Sequence, residues 1–271
     1  MAVQKLLIAT PTMGGIMKSR TATALIALTR ALTKRGIDVV FWNIDASDIV
    51  YARNRYAQAL LDSNDFDALL FVDSDMWFRP SLVLRMLTLG VKVAAAAYPK
   101  RGIDMSRVSA ALAEGDSLAK AMARGSDFTV LRTWDAKSSQ RVRMRKGFAS
   151  MAAAGMGCAL ITKTALLDMI EAGIVEKKQH IQDGQPQDYW SFFTPVAFGN
   201  MILSEDYSFW HRWTHTMGRE LWVCVDEPVE HIGSYNFDAK YDDLLAKTPP
   251  QAPANAEPLG TAAEKDAPAA N

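Results

Sequence analysis

The sequence predicts an α/β fold in which a mainly parallel central sheet is flanked by helices. Three observations support this. Short β-forming runs alternate with stretches of helical periodicity in the first half of the chain, as in βαβ units. Ala68–Val72 is a continuous apolar run of the kind that is buried on both faces of a sheet. The chain has 271 residues, 49% of them hydrophobic, which is enough for one sizeable core.

In the first half, hydrophobic periodicity and helix-ending residues define the predicted elements. Leu25, Leu28 and Leu32 recur at helical spacing, and Gly36 follows them as a helix-ending residue. Pro80 suits the first turn of a later helix. Besides Ala68–Val72, the predicted strands are residues 5–10, 38–44 and 91–97, and the predicted helices are residues 18–34, 49–61 and 80–89.

The second half is less regular, and its predictions are coarser. Residues 104–124 are predicted to be a helical or loop insertion. A small hairpin is predicted from residues 128–134 and 141–146, turning around 135–140. Further strands are predicted at residues 158–162 and 221–225, and helices at 163–172 and 204–217. The aromatic stretch at 189–193 is interpreted as core packing, with a sugar-stacking platform as the alternative.

Composition predicts one domain over residues 1–247 and a disordered tail over 248–271, because the tail is rich in Pro, Ala and Glu and has little to bury. The 30 basic and 30 acidic residues cancel, so no global field attracts nucleic acid or an anionic membrane. No apolar run reaches the roughly 18 residues of a membrane span. Cys158 and Cys224 lie in apolar runs, as expected of buried free thiols. We therefore expect a cytoplasmic protein without a transmembrane segment.

An acidic pair, Asp73 and Asp75, follows the buried strand at the edge where open α/β sheets bind ligands. Two neighbouring carboxylates repel each other unless a cation, a basic side chain or water compensates. A divalent metal with oxygen ligands is a compact solution. The alternative is that these residues merely cap the next turn.

Two later motifs carry further candidates. Glu205 and Asp206 begin an aromatic helix, where a carboxylate can serve as a general base or simply cap the helix. His231 follows a predicted strand, where an imidazole can complete a metal site or remain a structural residue.

Several short motifs occur in an order that resembles GT-A-fold glycosyltransferases, particularly those related to glycosyltransferase family 2. The resemblance covers most of residues 3–235, apart from 104–146. It rests on residues 71–76 (FVDSDM), 52–55 (ARNR), 98–101 (YPKR), 155–158 (GMGC) and 204–209 (SEDYSF). It implies a Rossmann-like sheet and a DXD motif that holds the diphosphate of a nucleotide-sugar.

The resemblance also implies the chemistry of a metal-dependent, inverting glycosyltransferase that transfers a sugar to an acceptor hydroxyl. Asp206 would be the catalytic base, with Glu205 beside it. Asp75 and His231 would bind Mn²⁺ or Mg²⁺. Asp73 would face the ribose or the metal.

Further residues are assigned to donor binding by the same resemblance. The donor would be a UDP-sugar or, as a second choice, a GDP-sugar, and the acceptor is not indicated by any motif. Asp45 is the nearest acidic candidate for a contact with the nucleotide base, since none directly follows the first strand. The remaining donor-binding candidates are Thr10, Pro11 and Met13 at the nucleotide base, Arg53 at the diphosphate, and Lys100 after the fourth strand.

Other readings of the sequence stay open. A sugar nucleotidyltransferase would share the fold plan and the metal carboxylates, although Gly14 and Gly15 with Lys18 and Arg20 only faintly resemble its basic glycine-rich loop. A non-catalytic nucleotide-sugar-binding protein is the other alternative. No G-x-G-x-x-G follows the first strand and no G-K-[ST] is present, which argues against dinucleotide oxidoreductases and P-loop enzymes.

Overall fold

The computed structural model describes residues 3–135, 142–182, 185–233 and 236–245. The predicted tail, the domain boundary at residue 247 and most of the predicted turn at 135–140 lie outside these ranges.

The strands are short outside the central sheet. In chain order they are β1 (Lys5–Thr12), β2 (Asp38–Asp45), β3 (Ala68–Val72), β4 (Met76–Trp77), β5 (Val93–Ala96), β6 (Pro99–Ile103), β7 (Ser126–Phe128), β8 (Val130–Leu131), β9 (Met144–Arg145), β10 (Phe148–Met151), β11 (Ala153–Ala154), β12 (Cys158–Thr162), β13 (Lys177–Gln182), β14 (Gln185–Trp190), β15 (Ala197–Phe198), β16 (Met201–Ile202), β17 (Leu221–Cys224), β18 (Val229–Ile232) and β19 (Asn236–Ala239).

The helices of the first half begin and end within about two residues of their predicted positions. The helices are α1 (Ser19–Thr33), α2 (Ile49–Asp62), α3 (Pro80–Thr88), α4 (Met105–Ala113), α5 (Leu118–Gly125), α6 (Lys163–Glu171), α7 (Glu205–Trp210) and α8 (Asp242–Leu245). The single helix predicted at 204–217 is instead α7 followed by a π-helical segment, His211–Thr216. Residues 104–124 form α4 and most of α5.

The central sheet has eight strands in the order β2-β1-β3-β12-β5-β17-β10-β9. β1 pairs in parallel with β2 and β3, and β5 pairs in parallel with β17. The other pairings are antiparallel. The prediction of a mainly parallel sheet was therefore wrong, and the sheet is mixed. The physical reason is β12, which enters the sheet at the carboxyl end of β3 and must run back between β3 and β5.

Both faces of β3 are buried in the central sheet, which explains its unbroken apolar run. Leu69 and Phe71 pack on one face with residues of α2 and α6. Leu70 and Val72 pack on the other face with residues of α1 and α3. Since successive side chains of a strand point to opposite faces, a strand covered on both sides carries no polar residue.

The predicted hairpin between residues 128–134 and 141–146 is not formed by the described parts of those segments. β7 pairs with β6 and β8 pairs with β11, whereas β9 pairs with β10. Strand propensity identified the β character but not the partner, because partners distant in the sequence leave no local signal. Phe192 and Phe193 are fully buried, which confirms core packing for that part of the aromatic stretch.

None of the helices in the described ranges combines the length and the apolar character that spanning a bilayer requires.

Candidate functional site

A polar cleft of about 260 Å³ lies beyond the carboxyl ends of β1 and β3. It brings together five of the residues predicted from sequence: Pro11, Met13, Asp73, Asp75 and His231. The other lining residues are Thr12, Ala46, Ser47, Ile49, Ser74 and Arg101. We call this space the polar cleft.

Backbone hydrogen bonds hold the acidic turn from three sides. The amide of Asp73 donates to the carbonyl of Gly157 over 3.0 Å, and the amide of Lys18 donates to the carbonyl of Ser74 over 2.8 Å. The amide of Ile232 donates to the carbonyl of Asp75 over 2.7 Å. The two carboxylates are therefore presented from a turn that is fixed to the glycine turn before β12, to the start of α1 and to β18.

Strand pairing brings His231 to this turn. β18 pairs with β4 so that His231 lies opposite Met76, the residue after Asp75. The ring Nδ1 of His231 is 3.1 Å from the carbonyl oxygen of Pro99, which can only accept, so Nδ1 carries the proton. Nε2 then has the lone pair, and it lies 3.7 Å from Oδ1 of Asp75.

The pKa of His231 is lowered, first by burial and next by the positive charge of Arg101, although Asp73 and the Pro99 carbonyl partly offset this. A neutral imidazole held by a backbone carbonyl at one nitrogen is the form that ligates a divalent metal through the other. Nε2 and the Asp75 carboxylate both act as electron-pair donors and face each other, so a cation between them would be stabilising. Asp75 and His231 thus fit a two-residue metal site whose other ligands come from substrate or water.

The carboxylate of Asp75 is paired with a basic side chain of the protein, that of Arg101. The guanidinium of Arg101, in β6, forms an ion pair with Asp75. Within the described ranges there is no group of three or more His, Cys, Asp or Glu residues arranged to hold a metal ion. A metal at Asp75 and His231 would have to displace Arg101.

Arg53 lies beneath the cleft rather than in it. Its side chain is 4% exposed and its Nη2 donates to Oδ1 of Asp73 over 3.1 Å, while Nε donates to Glu205 over 3.4 Å. Its guanidinium also lies 5.1 Å from the ring centre of Phe71. Burial lowers the pKa of Arg53, but Asp73, Glu205 and Asp206 outweigh burial and the pKa is raised. Arg53 therefore stays charged and joins the acidic turn to α7.

Through these contacts Arg53 positions the carboxylates of Asp73 and Glu205. Its predicted contact with a diphosphate stays a prediction. Its remaining nitrogen, Nη1, is buried and has no hydrogen-bond partner among the described residues.

Glu205 and Asp206 lie in the first turn of α7, as predicted. Oδ1 of Asp206 accepts from the hydroxyl of Ser204, two residues earlier, and, over 2.7 Å, from the amide of Tyr207, so the carboxylate does cap the helix. The pKa of Asp206 is nevertheless raised, first by burial and then by the charge of Glu205. Capping and base catalysis are therefore compatible, since a raised pKa makes the carboxylate a stronger base.

Tyr98 was not singled out by the sequence analysis, yet it is central to the site. Its buried hydroxyl oxygen accepts from the amide of Gly157 over 2.9 Å, and its ring meets that of His231 edge to face at 5.5 Å. A Cβ at Gly155 would lie 2.2 Å from the Tyr98 hydroxyl, so only glycine fits there. The motifs at 98–101 and 155–158 contained this signal, but their contact is long-range and could not be read from either alone.

The other predicted donor-binding residues do not line the polar cleft. Thr10 is buried in β1, and no described residue hydrogen bonds to its hydroxyl. Asp45 is exposed at the end of β2, opposite Thr12. Lys100 is exposed on β6 beside Arg101. Their assignments stay predictions.

A second, larger cleft of about 860 Å³ shares no lining residue with the polar cleft, and we call it the aromatic cleft. Tyr207, next to Asp206 in the chain, lines it together with Trp134, Phe198 and Leu203. Trp134 is held by a 2.8 Å hydrogen bond from its Nε1 to Thr214. The cleft also has arginines at its rim, including Arg132.

Comparisons with known proteins add little to this geometry. No protein-family model and no curated protein matches the chain. Among solved structures, one described as "A197 from STIV" is similar, with a TM-score of 0.46 and 16% sequence identity over 88% of this chain and 91% of that chain.

Proposed function

We propose that the protein is a glycosyltransferase that uses a nucleotide-sugar donor. The observation that carries this proposal is the Asp75 and His231 pair, with Nε2 and a carboxylate oxygen 3.7 Å apart at the carboxyl end of β3. Open α/β sheets bind nucleotides at such an edge. Asp206, with its raised pKa, is tied to the same turn through Glu205, Arg53 and Asp73.

In this proposal Asp206 acts as the general base of a direct displacement at the anomeric carbon. The carboxylate of Asp206 takes the proton of the acceptor hydroxyl, and the acceptor oxygen attacks the anomeric carbon. The bond from that carbon to the diphosphate breaks, and its electron pair leaves with the nucleoside diphosphate. Because attack and departure occur on opposite faces, the anomeric configuration is inverted.

Asp206 has an oxygen available for the proton transfer. Oδ1 is engaged by Ser204 and the Tyr207 amide, whereas no hydrogen bond to Oδ2 is formed within the described part of the chain. The positive charge of Arg53, which pairs with Glu205 and Asp73, only partly offsets the effects of burial and of Glu205 that raise the pKa of Asp206.

A divalent cation, Mn²⁺ or Mg²⁺, would be held by Asp75 and His231 and would supply neutralising charge to the departing diphosphate. The nucleotide would lie along the ends of β1 and β3, in contact with Pro11 and Met13. The acceptor would approach Asp206 from the aromatic cleft, because Tyr207 lines that cleft and is adjacent to Asp206 in α7.

The proposal is tested by isothermal titration of the protein with UDP-, GDP- and dTDP-sugars, with and without Mn²⁺. We expect one nucleotide class to bind only when Mn²⁺ is present, and binding to be lost in Asp75→Asn. The matched control is Asp62→Asn, since Asp62 is an exposed carboxylate at the end of α2 that accepts a hydrogen bond from Gln58.

Three results would contradict the proposal or redirect it. Equal donor binding with and without Mn²⁺ would remove the metal role. Absence of binding by every nucleotide-sugar would reject a glycosyltransferase. Release of pyrophosphate from a nucleoside triphosphate and a sugar 1-phosphate would identify the alternative, a sugar nucleotidyltransferase.

A further inference from the structure

The side chain of Arg101 is partly exposed and forms an ion pair with Asp75. It is 49% exposed, and the carboxylate of Asp75 is its only ion-pair partner among the described residues. The start of the same segment is fixed, because the Pro99 carbonyl contacts the imidazole of His231 and the ring of Tyr98 packs against that imidazole. Arg101 is thus a movable group on a segment that is otherwise fixed.

Arg101 also supplies the positive charge of the polar cleft, which otherwise carries the carboxylates of Asp73 and Asp75. Of the described lining residues, it alone carries a permanent positive charge, and it forms an ion pair with Asp75. Arg53 does not substitute for it, since Arg53 is buried and engaged by Asp73 and Glu205. A diphosphate that entered without Arg101 would face two carboxylates and no accessible basic side chain.

A divalent cation and Arg101 cannot both neutralise Asp75 in this space. A cation bound by Asp75 and Nε2 of His231 would replace the guanidinium at the carboxylate and repel it. The displaced guanidinium would remain at the cleft wall, within reach of an entering anion. Guanidinium binds phosphate oxygens in a planar, bidentate manner, so a diphosphate is the chemical group that would receive it best.

We propose that Arg101 alternates between two anions: it neutralises Asp75 in the empty site and moves to the donor diphosphate once a divalent metal occupies Asp75 and His231. This inference rests on the proposed function. It makes metal and donor bind synergistically, because the metal frees the residue that the diphosphate needs. The exchange is easy because a partly exposed ion pair contributes little to stability.

The proposal predicts opposite effects on the two ligands in Arg101→Ala. Mn²⁺ alone, titrated by electron paramagnetic resonance, is expected to bind roughly two- to fivefold more tightly, because a partly exposed ion pair no longer competes. UDP in saturating Mn²⁺, titrated by calorimetry, is expected to bind at least tenfold more weakly, or GDP if the guanine nucleotide is the one bound. The factor by which Mn²⁺ strengthens nucleotide binding should fall by roughly 5–150-fold, the usual range of coupling between two sites.

Two further variants sharpen the test. Arg101→Lys keeps the charge but loses the bidentate geometry, so it should retain competition with Mn²⁺ and lose part of the nucleotide affinity. Arg35→Ala is the matched control, because it removes an exposed arginine that follows α1 and precedes β2, at the edge of the sheet opposite the polar cleft. It should change neither titration.

The outcomes separate this inference from the proposed function. If Asp75→Asn abolishes Mn²⁺ binding but Arg101→Ala leaves Mn²⁺ affinity unchanged or weaker, the exchange of Arg101 is wrong and the proposed function stands. Unchanged nucleotide affinity in Arg101→Ala also overturns the exchange. If Mn²⁺ binds neither the natural protein nor any variant, both the exchange and the metal-dependent function are rejected.

Discussion

The polar cleft and the aromatic cleft have no lining residue in common, and they differ in size and in the chemistry of their walls. The polar cleft is small and carries its charges on strand ends and turns: backbone hydrogen bonds fix the turn that presents the two carboxylates, a carbonyl holds His231, and Arg101 pairs with Asp75. The aromatic cleft is about three times larger and is lined mainly by apolar rings and chains. Tyr207 lines the aromatic cleft, whereas its chain neighbour Asp206 is linked to Asp73 of the polar cleft through Glu205 and Arg53, and we refer to Asp206 and Tyr207 as the boundary between the clefts.

This difference indicates separate tasks for the two clefts. Charged groups presented from a turn that backbone hydrogen bonds fix suit recognition of a ligand with defined geometry. Large apolar surface contributes binding energy with less directional demand. If the division is correct, substitutions on each side should affect different measurements, and substitutions at the boundary should affect catalysis most.

The largest expected effect is at the boundary. Asp206→Asn keeps the oxygen that accepts from Ser204 and Tyr207 but cannot take a proton, so the transfer rate should fall by roughly 10²–10⁴-fold. Nucleotide affinity should be retained. Single-turnover kinetics with the natural protein and Asp62→Asn as controls would measure this, and a loss below tenfold would exclude Asp206 as the base.

The same residue sets a pH dependence. Since the pKa of Asp206 is raised by burial and by Glu205, the acid limb of kcat/KM should lie at higher pH than for an ordinary aspartate. A raised pKa also means that folding disfavours the ionised form: its stabilisation is present at low pH and is lost as pH rises through the folded pKa. Asp206→Asn should therefore melt no lower than the natural protein at neutral pH, and a clearly lower Tm would contradict this.

The next largest effect concerns Arg53, which lies beneath the polar cleft and pairs with two carboxylates. Arg53→Met leaves the carboxylates of Asp73 and Glu205 without their buried partner, and breaking such a pair costs about 3–5 kcal/mol of unfolding free energy. Urea denaturation measures the loss. The double variant Arg53→Met with Glu205→Gln should recover part of it, and no recovery would argue against Glu205 as a true partner.

A smaller loss is expected at Tyr98. Tyr98→Phe keeps the ring against His231 but removes the acceptor of the Gly157 amide, and an unpaired buried donor costs about 1–3 kcal/mol. Urea denaturation again measures the effect, and Mn²⁺ affinity should not change. A large fall in Mn²⁺ affinity would show that the hydroxyl, and not only the ring, positions His231.

The smallest expected effect on donor binding comes from the aromatic cleft. Trp134→Phe should leave nucleotide affinity within about twofold, because Trp134 is partly buried in the aromatic cleft and does not line the polar cleft, and a substitution that leaves a site's contacts intact usually changes free energies by no more than about 0.5 kcal/mol. The donor titration proposed above provides the measurement. A larger change in nucleotide affinity would show that the aromatic cleft also takes part in donor binding, and the proposed division between the two clefts would be wrong.

Local patterns were sufficient for the first half of the fold. β3 was predicted with its observed bounds, and α1 and α2 within one residue, because periodicity and helix-ending signals lie inside each element. The antiparallel course of β12 and the partners of β7, β8 and β9 depend on residues far away in the chain. No local signal specifies such pairings, so the sheet was expected to be more parallel than it is.

The candidate site divides in the same way. Asp73, Asp75 and His231 were predicted from motif order and do meet in the polar cleft. Arg101 and Tyr98 were not singled out, since an exposed arginine and a buried tyrosine are common, and only their contacts with Asp75 and Gly157 distinguish them. Arg53 was predicted at the diphosphate, and its burial became visible only in three dimensions.

The pairing of β18 with β4 has a consequence for how the protein is made. Asp75 emerges early from the ribosome, whereas His231 arrives only after nearly all of the central sheet has been synthesised. A nascent chain that ends before β18 can form β1, β2 and β3 side by side, yet it lacks the imidazole and the amide of Ile232 that fix the acidic turn. The two proposed metal ligands therefore meet only when translation of the sheet is complete.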